Sequence, residues 1–296
     1  MLLIERPDAV VAAFYDEKTG SWQYVIRDRE TKSAAIIDPV WDYDEKAGAT
    51  STKNADAIAD YVRSEGLRVE WVLDTHPHAD HFSAAPYLAG KFDAPTAIGE
   101  KVTQVQKLWR DIYCLEDFAA DGSQWDRLFA EGDTLRIGSL EGRVLFSPGH
   151  TLASITFVFG SNAFVHDTLM VPDSGTARAD FPGGDAHVLW NSIRELLDLP
   201  PDTALYVGHD YCKDGRDPQC MATVAEHRTN NIHVKDGISE EEFVRVRTER
   251  DATLPLPVLM LAALQVNIRG GRLPEPDPCG RSFLRIPVDH FRPPAD

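Results

Sequence analysis

Cysteine is scarce. The four in 296 residues, Cys114, Cys212, Cys220 and Cys279, stand far apart with no Cys-x-x-Cys pair. This excludes a disulfide-stapled scaffold and a thiolate metal knuckle, and it predicts reduced thiols in a cytoplasmic protein. Long apolar runs are also lacking: none approaches the roughly 18 residues a membrane span needs. Met1 to Val10 carries Glu5, Arg6, Pro7 and Asp8 in place of a signal-peptide core. Positive charge is in deficit, 30 Lys and Arg against 47 Asp and Glu, for a net charge of −17. Such a surface repels nucleic-acid phosphates and anionic membranes, so neither is an expected partner. There is no repeat of fixed period and no low-complexity linker between the two halves.

What is present is ordinary globular composition, 43% hydrophobic and 26% charged, in a chain long enough for one large α/β unit or two domains. Trp22, Tyr24 and Ile26 alternate along Ser21 to Arg27, and Ala34 to Val40 is a short apolar run; both predict strands. Ile58, Tyr61 and Val62 predict a helix closed by Gly66, and Val69 to Asp74 a buried strand. A helix is expected from near Asp80 to Gly90. Residues 101 to 129, with mixed helical patterning, read as a lid or as a subunit contact in a homo-oligomer. Further strands are expected at Thr134 to Ile137, Arg143 to Phe146, Ser154 to Phe159, Ala163 to Val165 and Leu205 to Val207. Helices are expected at Asp185 to Leu197 and Gln219 to Arg228. Ser239, with Glu242 three residues on, opens a last charged helix before a Pro-rich tail.

The chemistry concentrates in Thr75-His76-Pro77-His78-Ala79-Asp80-His81 at the end of a predicted strand. Gathering three imidazoles and a carboxylate incurs desolvation and repulsion that a cation offsets, so the stretch reads as a metal site. His150, held by the Pro148-Gly149 turn, Asp167 and His209 each follow an apolar run in the same way. A lone His of this kind is usually structural. Four strand ends that all offer His or Asp support one another, because the carboxyl ends of strands are where ligands converge without disturbing a sheet.

The order His-x-His-x-Asp-His, Gly-His, Asp, His resembles that of the metallo-β-lactamase superfamily, over about Ser21 to Arg228. The resemblance implies an α/β fold, an αββα sandwich with metal between the sheet edges. It also implies a catalytic domain at 1–230 and a C-terminal extension, 231–296, packed on it. Asp38 to Asp44, Asp173 to Asp185, Thr223 to Arg228 and the tail from Asn231 to Arg269 resemble bacterial persulfide dioxygenases more specifically. That resemblance implies one Fe(II) per chain on His76, His150 and Asp167, two His and one carboxylate leaving positions open for substrate and O2. The implied reaction is oxidation of glutathione persulfide with O2 and water to sulfite and glutathione. His78, Asp80, His81 and His209 would orient ligands or substrate, and Arg178, Tyr211 and Arg228 would contact glutathione. The arginines read equally well as surface partners of Asp180 or Asp185 and of Glu226.

Two other readings stand. Hydrolases resembling glyoxalase II use the same seven ligand types for two Zn ions, with His76, His78 and His150 at one, Asp80, His81 and His209 at the other, and Asp167 between. A metal-stabilised persulfide-binding or sensor protein would keep the site without turnover. His166, where the resembled family commonly has Gly, is expected to face away from the metal because strand neighbours alternate. His187, His227, His233 and His290 show no ligand spacing. Cys212, three residues past His209, is the best redox candidate among the thiols, although a free Cys is more often a small buried residue.

Overall fold

Neighbouring side chains of a strand point to opposite faces, and several strands here bury both. Over Ser33–Ile37, Ala35 and Ile37 enter one hydrophobic cluster while Ala34 and Ile36 enter another. Trp22, Tyr24 and Ile26, the expected alternating set, share the first cluster and Val25 lies in the second. A sheet buried on both faces requires two covering layers.

The computed structural model describes residues 1–291 and has those layers; residues 292–296 of the expected Pro-rich tail and extension lie outside the described residues. The strands are β1 (Leu2–Glu5), β2 (Ala9–Asp16), β3 (Ser21–Asp28), β4 (Ser33–Ile37), β5 (Val40–Asp44), β6 (Ala49–Ser51), β7 (Arg68–Leu73) and β8 (Phe82–Ser83). They continue as β9 (Thr96–Gly99), β10 (Arg127–Phe129), β11 (Thr134–Ile137), β12 (Leu140–Phe146), β13 (Ile155–Phe159), β14 (Asn162–His166), β15 (Ala204–Val207) and β16 (Met221–Thr223). The helices are α1 (Lys53–Ser64), α2 (Ala85–Phe92), α3 (Val102–Tyr113), α4 (Ala186–Leu197), α5 (Val224–Asn230), α6 (Glu240–Asp251) and α7 (Met260–Asn267).

One sheet has the order β1-β2-β3-β4-β7-β9-β10 and the other β11-β12-β13-β14-β15-β16, with a small third sheet β6-β5-β8. Between the large sheets lie Phe157, Phe159 and Phe164, fully buried and contributing roughly 1.5–3 kcal/mol each. Ile58 and Val62 of α1 and Leu88 of α2 cover the outer face of the first sheet. Leu189, Ile193 and Leu196 of α4 join the central cluster. The architecture is the expected αββα sandwich.

Three expectations change. The helix foreseen from Asp80 begins at Ala85, because Phe82 and Ser83 pair with Trp41 and Val40, and Pro86 suits a first helical turn. The helix foreseen from Gln219 begins at Val224: Met221–Thr223 pair with β15, and Thr223 with Glu226 forms a capping box. Residues 101–129 divide into α3, irregular chain and β10, and Val102, Val105, Trp109 and Tyr113 of α3 pack in one cluster with Met260 and Leu264 of α7. That apolar stripe is thus covered within the chain itself.

Candidate metal centre

The ligand-type residues occupy one end of the sandwich. Strand β7 runs into the His76 loop, β12 and β13 flank the His150 loop, β14 leads into Asp167 and β15 into His209. Two glycines permit the convergence. Gly149 has φ +123°, and a Cβ there would meet the Leu189 backbone at 2.3 Å, so only glycine lets the His150 turn lie on α4. At Gly208 a Cβ would come within 2.4 Å of Asp167 Oδ1. The sheets are stitched together at this rim by Trp22 N–H donating to Gly208 O at 2.8 Å and Asp210 N–H to Gly20 O at 2.9 Å.

Three overlapping groups result: His76, His150 and Asp167; His78, Asp80 and His81; and Asp80, Asp167 and His209. In each, ligand atoms lie within 4.8 Å of one another. In the first, the Nε2 atoms of His76 and His150 stand 3.9 and 3.6 Å from Asp167 Oδ2. Their Nδ1 atoms face the supporting chain. His150 Nδ1–H donates to Arg178 O at 2.8 Å, and His76 Nδ1 is 3.0 Å from Thr75 Oγ1, which donates to Asp38 at 2.8 Å. His76 Nε2 is buried without a hydrogen-bond partner among the described residues. Two ring nitrogens fixed by their far sides beside a carboxylate form a donor set that fits a divalent cation.

The third group is closed by its own hydrogen bonds. His209 Nδ1–H donates to Asp167 Oδ1 at 2.5 Å and its Nε2–H to Asp80 Oδ2 at 2.6 Å, while Ser21 Oγ–H reaches Asp80 at 2.9 Å. Burial opposes ionisation of Asp167, yet the adjoining His209 outweighs it and holds the carboxyl below its usual range. For His76, burial and then the neighbouring imidazoles of His78, His166 and His150 push the pKa well down, leaving a neutral ring. His78 goes the other way, to about 9: burial lowers it, but Asp38 at 3.0 Å more than compensates.

Beside the first group opens a cleft of about 710 Å³ whose walls include His150, Asp167, Phe181, Tyr211 and the segment 254–258. Of the expected substrate contacts, Arg178 and Tyr211 line it and Arg228 does not. Arg228 lies outside the cleft, with Asp236 at 3.1 Å and Leu197 O at 3.3 Å. Arg178 has Asp180 on its fork at 2.6 and 2.8 Å, the surface pairing that sequence offered as the other reading. The further cations of the cleft are Lys213, Arg247 and Arg250. Arg247 is buried against Asp251 at 2.6 Å, whereas Arg250 makes no ion pair among the described residues.

Several participants went unread in the sequence. Asn267 of α7 donates from Nδ2 to both His78 O and His81 O at 2.7 Å and accepts from Ser83 N–H at 2.8 Å, pinning the His loop. Asp38 holds Thr75 and His78, and Ser21 holds Asp80. His233, expected to be structural, lines the cleft. Of the thiols, Cys220 is buried, Cys212 half-buried beside Tyr15 Oη at 3.3 Å, and Cys114 and Cys279 exposed. His166 breaks the expected alternation: β14 is bulged between Phe164 and His166, φ of His166 is +42°, and its ring lies 4.9 Å from that of His76. No helix among the described residues is long and apolar enough to cross a membrane.

Known proteins share this fold. Residues 17–209 match the model of the metallo-beta-lactamase superfamily. The chain is 62% identical over 289 residues to the beta-lactamase hydrolase-like protein of Agrobacterium fabrum, covering 97% of itself and 67% of that longer relative. It is 44% identical to glyoxylase B2 of Dictyostelium discoideum, covering 96% of itself and 98% of that protein. To human mitochondrial persulfide dioxygenase ETHE1 it is 30% identical, with 87% of each chain covered. Among solved structures, ETHE1 from Myxococcus xanthus superposes with a TM-score of 0.71 at 30% identity, over 88% of this chain and 99% of that one. With its family model spanning the four ligand-bearing strand ends, the chain belongs to the metallo-beta-lactamase superfamily.

Proposed function

We propose that this protein is a persulfide dioxygenase that converts glutathione persulfide, O2 and water to glutathione and sulfite at one Fe(II), with residues 1–230 as the catalytic unit and 231–296 as an extension. The observation that carries the reading is the contrast between the first and third groups. His76, His150 and Asp167 present unshared donor atoms toward a common point, whereas both ring nitrogens of His209 are already taken by carboxylates. One site of two His and one carboxylate is the arrangement of non-haem iron oxygenases. Iron bound there would bring persulfide and O2 together and accept negative charge from both.

The chain's own residues do the rest. Thr75 and the Arg178 carbonyl set the ring orientations of His76 and His150. His209 and Asp80 steady Asp167 from behind. Phe181, edge-on to His150 at 5.4 Å, and Leu254 to Val258 form an apolar wall that limits water around the reacting sulfur. Lys213 and Arg250 at the cleft suit the two carboxylates of glutathione, with Arg178 and Tyr211 beside them. Oxidation of the outer sulfur to sulfite transfers four electrons to O2, and water supplies the third oxygen.

A binuclear zinc thioester hydrolase is the second reading, favoured by the presence of all seven ligand types and by the 44% identity to glyoxylase B2. Anaerobic purification with metal analysis, then O2 uptake with glutathione persulfide, separates the two. Near one iron per chain with O2 consumed and sulfite formed is expected. Two zinc ions, no O2 uptake and hydrolysis of a glutathione thioester would overturn the dioxygenase. Iron and persulfide bound without turnover would instead identify a binding or sensor protein.

A further inference from the structure

His166 is a bulky residue in a backbone conformation that favours glycine. At φ +42° a non-glycine residue is strained, and such residues persist where the surroundings over-determine them. It is 2% exposed and does not line the substrate cleft. Its ring touches the carriers of all three members of the first ligand group. Nε2 lies 3.1 Å from Ser147 Oγ, three residues before His150, and 2.9 Å from Thr168 Oγ1, the residue after Asp167. Thr168 Oγ1–H also donates to Ser147 O at 3.3 Å, and Ser147 Oγ is 2.9 Å from Thr156 Oγ1 across the hairpin. The imidazole lies against that of His76, tilted by 48° with 4.9 Å between ring centres. Its Nδ1 has no partner among the described residues.

We propose that His166 is a positioning residue of the metal centre, a brace behind the site that sets His76, His150 and Asp167 at one spacing. It rests on the assignment of those three residues as ligands. The strain at φ +42° is offset by rigidity where three loops from different strands must agree. Outer groups that orient ligands typically change metal affinity 10- to 100-fold.

The test compares Fe(II) dissociation constants, measured anaerobically by chelator competition and repeated with Zn(II), for wild type, His166→Gly, His166→Asn and Ser147→Ala. Thermal melts of the metal-free forms run alongside. His166→Gly relieves the backbone and is expected to melt cooperatively yet bind metal about 10- to 100-fold more weakly. His166→Asn, which tolerates a positive φ and retains one hydrogen bond to a hydroxyl, recovers part of the loss. A core residue without this role would shift the melt and leave the affinity of the folded protein alone, so affinity within twofold of wild type in His166→Gly overturns the proposal. If that variant does not fold, Ser147→Ala decides: several-fold weaker binding is expected, and unchanged binding overturns it. His76→Ala with undiminished metal binding would sink the ligand assignment beneath the proposal and not the brace alone.

Discussion

The two ends of the sandwich both gather polar side chains away from water, and they satisfy them differently. At the end away from the ligand loops, Asp28 accepts from Glu30 N–H, Thr31 Oγ–H, and Ser139 N–H and Oγ–H at 2.8–3.1 Å. Asp8 likewise accepts from Ser161 N–H, Ser161 Oγ–H and Asn162 Nδ2–H at 2.5–3.1 Å. Folding alone satisfies these groups, and they lock the turn after β3 to the β11–β12 turn and the β13–β14 turn to the chain after β1. At the ligand end, His76 Nε2, His78 Nδ1 and His81 Nε2 are buried without hydrogen-bond partners among the described residues, while His78 Nε2 faces Asp38 at 3.0 Å. Buried polar atoms without partners destabilise a fold by about 1–3 kcal/mol each unless something else engages them. The carboxylates Asp8 and Asp28 are satisfied by the chain at one end, while imidazole nitrogens are left open at the other.

The largest effect that sharpens this contrast comes from Asp167. Asp167→Ala removes the carboxylate shared by the first and third groups. It is expected to bring metal content near zero and turnover down about a thousandfold or more, since metal stabilisation of a reaction amounts to several kcal/mol at about 1.4 kcal/mol per tenfold. Metal analysis and O2 uptake measure this. Metal at 100 times its dissociation constant should stabilise wild type by about 2.7 kcal/mol and the variant not at all. A variant that keeps its metal would mean the unshared nitrogens serve something else.

Next comes Asn267→Ala. It frees the carbonyls of His78 and His81 and the Ser83 N–H, so it should destabilise the protein by about 1–3 kcal/mol and weaken metal binding about tenfold or more. Denaturant melts and chelator competition report the two halves. Loss of stability with unaltered affinity would show that α7 only covers the core and does not shape the ligand end.

What was legible in the sequence follows the same division. His76, His150, Asp167 and His209 could be read because each closes an apolar run, a local pattern that survives in one dimension. Asn267 could not. It contacts the His loop across 189 and 186 positions, and α7 has apolar residues on nearly every side, so no helical periodicity marks it. Alternation placed Trp22, Tyr24 and Ile26 correctly and failed for His166, because one bulge with a positive φ turns the strand end. Arg228 pairs with Asp236, eight residues on, where sequence offered Glu226 as its surface partner.

The smallest effect lies at the end that folding completes. Asp28 is 2% exposed; burial raises its pKa, but the hydrogen bonds from Ser139, Glu30 and Thr31 outweigh this and lower it from 3.8 to about 2. A folded-state pKa below the unfolded one adds stability that is fully present above about 4 and lost as pH falls through about 2. Asp28→Asn keeps the size of the side chain but turns donors toward donors. It should be about 1–2 kcal/mol less stable at neutral pH, with metal content and turnover unchanged. Denaturant unfolding of wild type and variant, both metal-free, along a pH series should show the gap constant from neutral pH to about 5 and closing below about 4, where only wild type takes up a proton at this site. A gap independent of pH would mean that the hydrogen bonds hold Asp28 without favouring its charge. Lost metal binding would mean that the two ends are coupled through β3, whose first residue, Ser21, reaches Asp80.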